Sequence, residues 1–373
     1  MGWGSLVYTR RESRDWGTHD HYKKRTAIMA KTEASIFDRA TSTLLSPRAN
    51  AMLDLRSKSE AIDFSYEAIR YPLGFPIRIL SNSAAVINAA DWSWKCFYRM
   101  FEHEPLELRV AVKTDSRTGR VTQAPIHSQN DHLIVHFADA ENYFVADLAK
   151  GQAMCWVTKD TVDSTLYLRY HMLEAAALCM ITTLRAVAVH GACVIARNKG
   201  ILLCGDSGAG KSTLAYAGAR SGWTYVTDDA SYALLDRREP LVVGNCHQVR
   251  FRPSAAEFFP EIRGYAITPR AAGKPSIEAR TSQLPAIRTA PVAMIDHIIT
   301  LNRNDNADQE LVSLPPAKVL PWFMQYVMAT PASRETQEAA ISRLLRSGVF
   351  ELRYHDLNWA IERINLLAED GRC

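Results

Sequence analysis

The sequence has few cysteines, and none of them is spaced as in a metal or redox site. The seven cysteines are scattered over positions 96, 155, 179, 193, 204, 246 and 373, and no two of them form a C-x-x-C motif. An odd number of dispersed cysteines excludes the disulfide framework of a small secreted protein. We therefore expect a reduced, cytoplasmic protein.

Long apolar runs and a large net charge are absent too. The most apolar stretch, Leu173–Val189, contains Glu174 and Arg185 and is shorter than the roughly 18–20 residues of a membrane span. The N-terminal residues lack the apolar core of a secretory signal. A net charge of +4 is small for 373 residues. We expect a globular protein with neither a membrane nor a nucleic-acid partner.

Local patterns divide the chain into three predicted parts and indicate an α/β fold. Residues 1–58 are polar and basic with little apolar periodicity, which predicts a flexible tail. Residues 59–185 mix strand and helix patterns, including a helix over 84–101 and a buried helix over 164–184, and form an α+β module whose role the sequence does not indicate. Residues 186–373 alternate strands and helices and end in two helices, the first starting at Thr330-Pro331.

The third part contains a phosphate-binding motif in the expected context. Residues 205–212 read GDSGAGKS and match the Walker A pattern G-x-x-x-x-G-K-[ST]. Two apolar strands, 186–196 and 200–205, precede the motif, and a helix ending near Gly222 follows it. The less specific alternative is a glycine-rich turn with no ligand. The predicted nucleotide-binding residues are Gly205, Asp206, Ser207, Gly208, Ala209, Gly210, Lys211, Ser212 and Thr213.

The chemistry of this motif explains its residue types. Glycines let successive main-chain N–H groups point at phosphate oxygens, and the helix N-terminus adds positive charge. Lys211 would reach the β- and γ-phosphates of ATP, and the hydroxyl of Ser212 would bind Mg²⁺. ATP and Mg²⁺ are therefore the predicted cofactors.

Two adjacent carboxylates, Asp228 and Asp229, follow the next predicted strand. Open α/β sheets bind ligands at the carboxyl ends of their strands. One carboxylate can bind Mg²⁺ while its neighbour, on the opposite side of the chain, accepts a proton from an attacking hydroxyl. We assign the metal to Asp229 and Ser212 and the proton to Asp228. A solvated turn is the alternative for an isolated Asp-Asp pair.

Two arginines alternate on a later strand. Arg250 and Arg252 share one strand face and could both contact phosphate oxygens in the transition state. Solvated arginines on a strand face are the common alternative. We include both among the candidate catalytic residues, with Lys211.

The combination of His190-Gly191, the loop GDSGAGKS and Asp228-Asp229 after one intervening helix resembles the C-terminal catalytic domain of HPr kinase/phosphorylase. That P-loop fold is related to phosphoenolpyruvate carboxykinase. The resemblance covers roughly residues 186–270. The segment PEIRGYAI at 260–267 is similar to the family's second motif, with Tyr265-Ala266 in place of an apolar residue followed by glycine.

The resemblance implies residue roles that spacing alone does not. A histidine and the first aspartate act together at the reacting phosphate, so His190 would pair with Asp228, while Asp229 would bind the metal. From the residues alone, His190 could equally be a core histidine bonded to the backbone. The chain looks most like stand-alone HPr-kinase-related proteins, because residues 1–185 match no regulatory domain of the bifunctional enzyme.

These observations predict a kinase that uses ATP and Mg²⁺ and transfers the γ-phosphoryl group to a hydroxyl. The expected partner is a protein or peptide with an acceptor serine, and residues 60–185 would help to build the acceptor cleft. The chain could act as a monomer or as a homo-oligomer. One alternative is a regulatory protein that binds ATP and hydrolyses it slowly or not at all. Phosphorylase or carboxykinase-like activity is the other.

Overall fold

A computed structural model describes residues 62–114, 121, 124–269, 275–304, 308–325, 327 and 330–370. The tail that we predict over 1–58 lies outside the described residues. The described residues from Ser65 onward belong to one compact unit, which includes both the predicted module and the predicted catalytic part.

The first sheet has seven strands in the order β1-β2-β3-β7-β6-β5-β4. Strands β2, β3 and β7 are parallel, and the other pairs are antiparallel. Apolar residues alternate on β2 and β3 and bury one face of the sheet. The strands are β1 (Tyr66–Arg70), β2 (Ile77–Ser81), β3 (Leu106–Lys113), β4 (Ile126–Asn130), β5 (Leu133–Phe137), β6 (Tyr143–Asp147) and β7 (Gln152–Thr158).

Helices cover the buried face of this sheet. Helix α1 (Ala84–Trp94) connects β2 to β3 and ends before the residue 101 that we predicted. Helix α2 (Lys159–Asp163) follows β7. One helical turn, Thr165–Tyr167, then leads into a π-helical segment, Leu168–Glu174, and α3 (Ala175–Leu184). We predicted this region as one buried helix. The wide π turn is unexpected, and such turns are often found at functional sites.

A second, mixed sheet carries the motifs. Its strands are β8 (Ala186–Val189), β9 (Gly191–Ala196), β10 (Lys199–Cys204), β11 (Thr224–Thr227), β12 (Ser231–Leu234), β13 (Leu241–Gly244), β17 (Arg288–Thr289), β18 (Val292–Arg303), β19 (Glu310–Ser313) and β20 (Gly348–Tyr354). The order is β17-β11-β9-β10-β18. The first half of β18 pairs with β13, which leads to β12 and β8. The second half pairs with β20, which pairs with β19.

Helices pack on both faces of the second sheet. Helix α4 (Lys211–Arg220) and α7 (Leu357–Asp370) share one apolar core with it. Helix α5 (Pro316–Met324) and α6 (Arg334–Leu344) share another. The chain thus has a mixed α/β fold. Helix α6 begins later than the Thr330-Pro331 start we predicted, because the side chains of Thr330 and Ser333 close a turn before it.

A small third sheet lies beside the second. It contains β14 (Gln248–Phe251), β15 (Ile267–Pro269) and β16 (Pro275–Arg280), in the order β14-β16-β15. The 3₁₀ turns are Pro72–Gly74, Pro253–Glu257, Pro260–Ile262 and Thr281–Gln283. Within the described part of the chain, no helix is both long and apolar enough to cross a membrane.

Strand directions bring the predicted motifs to one edge of the second sheet. β9 is antiparallel to both β10 and β11, so β10 and β11 run the same way and end at the same edge. We predicted residues 186–196 as one strand. The chain instead breaks at His190, because β8 pairs with β12 whereas β9 pairs with β10 and β11. This break leaves His190 at the edge where β10 and β11 end.

Candidate functional site

The phosphate loop connects β10 to α4. A tight hairpin precedes it: Arg197 and Asn198 have φ values of 48° and 63°, as in the two-residue turns that suit twisted hairpins. The hairpin aligns β10 beside β9, and β10 then enters the loop at Gly205. Loop residues Gly205, Gly208 and Gly210 all have positive φ, between 98° and 141°. An L side chain rarely adopts such angles, so glycine allows the tight loop.

Lys211 is buried at the start of α4 and turns back over this loop. Its Nζ donates hydrogen bonds to the carbonyl oxygens of Gly205 at 2.6 Å and Asp206 at 3.1 Å. Burial lowers the pKa of the ammonium, and the charge of Asp229 opposes that change. Two of the three ammonium protons therefore hold the side chain against the loop, which leaves one for a phosphate oxygen.

Tyr354 supports the loop from the end of β20. Its hydroxyl donates a hydrogen bond to the carbonyl of Ala209 at 2.9 Å. A Cβ atom at Gly210 would lie 2.3 Å from that hydroxyl, and the φ of 98° there also disfavours a side chain. Glycine at 210 is thus required by a neighbour 144 positions away in sequence. Nothing in the motif itself indicated Tyr354.

Asp228 is buried directly after β11. Its Oδ2 accepts a hydrogen bond from the main-chain N–H of Arg250 at 2.8 Å, which fixes the carboxylate. The hydroxyl of Ser212 donates to the Asp228 carbonyl at 3.3 Å. The expected metal-binding hydroxyl therefore lies beside the aspartate pair.

Asp229 faces His190. The Oδ1 of Asp229 and the Nδ1 of His190 are 3.7 Å apart, and both side chains are mostly buried. The family resemblance implies a pair between His190 and Asp228, whereas this ion-pair distance involves the second aspartate. His190 is brought here by the break between β8 and β9.

The two candidate arginines separate in the structure. Arg252 is exposed, and its Nη2 donates to the hydroxyl of Ser207 in the phosphate loop at 2.7 Å. The Nε of Arg250 instead donates to Glu278 at 3.0 Å, with both side chains mostly buried. The two arginines therefore contact different partners, Arg252 at the predicted phosphate loop and Arg250 on the third sheet.

A cavity of about 350 Å³ opens next to the aspartates. Asp228, Asp229 and Arg250 lie on one side of it, and residues of the N-terminal module line the other side. The module residues that line it include Trp92, Ser93, Arg169 and Glu174. In the sequence, only the charged residues within an otherwise apolar helix pattern indicated a polar site in this part of the chain.

Buried charges line the module side of the cavity. The Nη2 of Arg169 lies 3.5 Å from the Oε1 of Glu174, and the hydroxyl of Ser93 donates to the same oxygen at 2.9 Å. Burial raises the pKa of Glu174 to about 7, although Arg169 and Ser93 oppose the shift. The hydroxyl of Tyr170 donates to Glu278, and burial together with that carboxylate raises the pKa of the phenol. The hydrogen bond from Tyr170 to Glu278 thus links the module to the third sheet.

The donors at the site suit Mg²⁺ bound together with phosphate. Among the residues that the structure describes, no group of three or more His, Cys, Asp or Glu side chains is arranged to hold a metal. A site of protein ligands alone, such as those that bind zinc, is therefore not found there. A hydroxyl and one or two carboxylates match the few protein ligands that Mg²⁺ uses when phosphate and water complete its shell.

Comparison with solved structures finds a distant similarity. No protein-family model and no curated protein matches the chain. The HPr(Ser) kinase/phosphatase from Coxiella burnetii matches at 14% identity, covering 50% of this chain and 95% of that protein, with a TM-score of 0.27. So low a score transfers no residue role, and the roles proposed below rest on this chain's own geometry.

Proposed function

We propose that this chain is a kinase that uses ATP and Mg²⁺ to phosphorylate a hydroxyl, the serine of a protein or peptide. One observation carries the proposal: Ser212, at the start of the helix that follows the phosphate loop, donates its hydroxyl to the backbone of Asp228. The anion-binding loop, a metal-binding hydroxyl and two carboxylates therefore meet beside a cavity. Phosphoryl transfer needs these groups together, because it depends on positioning and on charge neutralisation.

The loop would bind the triphosphate. Main-chain N–H groups of Gly205–Thr213 would bind its phosphate oxygens, and Lys211 would donate its remaining ammonium proton to a β- or γ-phosphate oxygen. Arg252 reaches the loop at Ser207 and can neutralise charge on the transferred group. Ser212 and Asp229 would hold Mg²⁺, which neutralises charge on the phosphate oxygens when bound.

Asp228 is the proposed base. Its Oδ2 is fixed by the N–H of Arg250, and the residue lines the cavity where an acceptor would enter. The acceptor oxygen attacks the γ-phosphorus, the bond to the β–γ bridging oxygen breaks, and the hydroxyl proton goes to Asp228. His190 orients Asp229, and Arg250 positions Asp228 through its backbone.

Asp228→Asn tests this assignment. We expect transfer from [γ-³²P]ATP to a degenerate serine peptide library to fall about 100-fold or more, because the proton acceptor is lost. Binding of ATP·Mg²⁺, measured by calorimetry, should persist in this variant. Lys211→Ala should lose that binding as well, since its ammonium contacts the phosphates in the ground state.

Two outcomes would contradict the proposal. If Asp228→Asn labels peptides as fast as the wild type, the base is wrongly assigned. If the wild type binds ATP·Mg²⁺ but transfers phosphate to no peptide or protein in a cell extract, the chain is the ATP-binding regulatory protein of the alternative hypothesis.

A further inference from the structure

The third sheet presents a row of polar side chains to the cavity. In the antiparallel pair of β14 and β16, Arg250 lies opposite Glu278, and Gln248 lies opposite Arg280. The N–H of Arg250 is bonded to Asp228, so Arg250 and Glu278 form a non-hydrogen-bonded pair, in which opposite side chains are closest. Alternation places Gln248 and Arg280 on the same face, two residues further along, at roughly 7 Å.

This row begins near the proposed base and ends at the module. Asp228 contacts the row at the main-chain N–H of Arg250. Arg280 lies two residues after Glu278, the residue opposite Arg250, on the same face of β16. All four residues of the row line the same cavity as Asp228. A ligand that places a hydroxyl at Asp228 would therefore extend along the row toward Arg280.

Arg280 is the cation of the row that has no carboxylate partner within the described chain. Arg250 is paired with Glu278, and across the cavity Arg169 is paired with Glu174. The guanidinium of Arg280 instead donates to the main-chain oxygen of Trp92 at 3.4 Å and lies over its indole ring at 4.6 Å. Its charge is thus available to an anion in the cavity.

Trp92 holds Arg280 in position. Arg169 lies over the same indole ring at 3.6 Å, and the π-helical segment Leu168–Glu174 brings Arg169 to that ring. The aromatic ring therefore contacts two guanidinium groups, each within the range of a cation–π interaction. A cation held on a rigid ring needs little ordering when an anion binds, which favours affinity.

We infer that this cavity selects an acidic acceptor peptide, with an aspartate or glutamate two positions from the phosphorylated serine. In an extended peptide, side chains at i and i+2 point the same way and lie roughly 7 Å apart. The same interval along the strand separates the Arg250–Glu278 pair, which Asp228 contacts at the main-chain N–H of Arg250, from the Gln248–Arg280 pair. Arg280 would bind the peptide carboxylate while Asp228 receives the serine hydroxyl. This inference rests on the proposed kinase activity.

A positional peptide array tests the inference. Each peptide carries one serine and a single aspartate, alanine or lysine between positions −3 and +3, and both phosphorylation and direct binding by fluorescence polarisation are measured. The wild type should favour aspartate over alanine about 10-fold at −2 or +2, as expected for one charge-assisted pair. Arg280→Glu should reverse the preference toward lysine there, with ATP·Mg²⁺ binding unchanged.

Matched variants separate the subsite from folding. Arg288→Glu makes the same charge change at an exposed arginine whose guanidinium donates to a main-chain carbonyl, that of Gly222, and it should keep the wild-type preference. Trp92→Ala should weaken the preference without reversing it, because the guanidinium loses its support. Thermal melting of each variant verifies that it folds.

The outcomes distinguish the two proposals. Equal use of acidic and neutral peptides by the wild type, or an acidic preference that survives Arg280→Glu, overturns the subsite and leaves the kinase proposal intact. If neither these peptides nor any protein of a cell extract is phosphorylated, the kinase proposal fails, and the binding measurements decide the subsite alone. Preferential binding of acidic peptides that requires Arg280 would then support it, and binding without that preference would overturn it.

Discussion

The phosphate loop and the neighbouring cavity are built in opposite ways. The loop is one contiguous segment, Gly205–Thr213, held by glycine backbone angles and by hydrogen bonds to main-chain carbonyls. The cavity is assembled from segments far apart in sequence, and its walls contain buried ion pairs. A loop held by bonds to uncharged carbonyls needs no buried carboxylate to keep its charge, whereas a cavity lined by buried ion pairs depends on each charge keeping its partner.

Removal of a buried cavity charge should have the largest effect on stability. Glu278→Ala leaves Arg250 buried without its carboxylate and removes the acceptor of the Tyr170 hydroxyl. We expect the free energy of unfolding to fall by about 3–5 kcal/mol, as when one partner of a buried ion pair is lost. Urea unfolding at pH 7 measures this.

An exposed pair provides the matched control. Asp163→Ala also removes one carboxylate from an ion pair, with Lys159, but both side chains are more than half exposed. Its cost should stay below about 1 kcal/mol. Similar costs for the two variants would show that the cavity does not depend on buried charge.

The pH dependence of stability should show that the pKa of Glu174 is raised in the folded chain. Its pKa of about 7 in the folded chain exceeds the usual 4.5. The folded state therefore binds this proton more tightly, and the resulting stabilisation is complete below pH 4.5 and is lost as the pH rises through about 7. Between pH 5.5 and 8.5 the wild type should lose about 2 kcal/mol that Glu174→Gln does not lose.

Comparison of the wild type with Glu174→Gln over this pH range isolates the contribution of Glu174 to stability. The histidines with lowered pKa, His136 and His171 among them, change stability with pH equally in both proteins, so their effect cancels in the difference. Urea unfolding at several pH values gives that difference. Parallel pH profiles would mean that Glu174 stays ionised in the folded chain.

The smallest effect should come from the support of the loop. Tyr354→Phe removes only the hydrogen bond to Ala209 and keeps the buried ring, so the free energy of unfolding should fall by about 1 kcal/mol. Calorimetry should show a several-fold weaker affinity for ATP·Mg²⁺, while the preference among acceptor peptides stays the same. A changed peptide preference with unchanged ATP affinity would contradict the separation between loop and cavity.

The predictions that held were local ones. The strand, loop and helix around Lys211 follow from a short motif, because strand, turn and helix preferences act over a few residues. The strand ending at Thr227 before Asp228 follows from an apolar run in the same way. The strand break at His190 could not be predicted, since the apolar pattern continues through it and only pairing with different strands divides it.

The two arginines show the limit of alternation as a guide. Their spacing predicts one strand face, but β14 ends at Phe251, before Arg252, and Arg250 contacts Glu278 whereas Arg252 contacts Ser207. Their partners belong to segments that neither spacing nor composition could place beside them. The wide π turn near Arg169 likewise interrupts a pattern that is typical of a regular helix.

By itself, the sequence determined the strand, glycine-rich loop and helix around Lys211, the aspartates at the end of a strand and the mixed α/β character of the chain, because each depends on residues close together along the backbone. Only the tertiary structure decided that His190 faces Asp229, that Tyr354 lies against Gly210 and that Arg280 packs on Trp92 beside the cavity. These contacts join residues that are far apart in the chain, and they form only when strand pairing and helix packing bring those residues together.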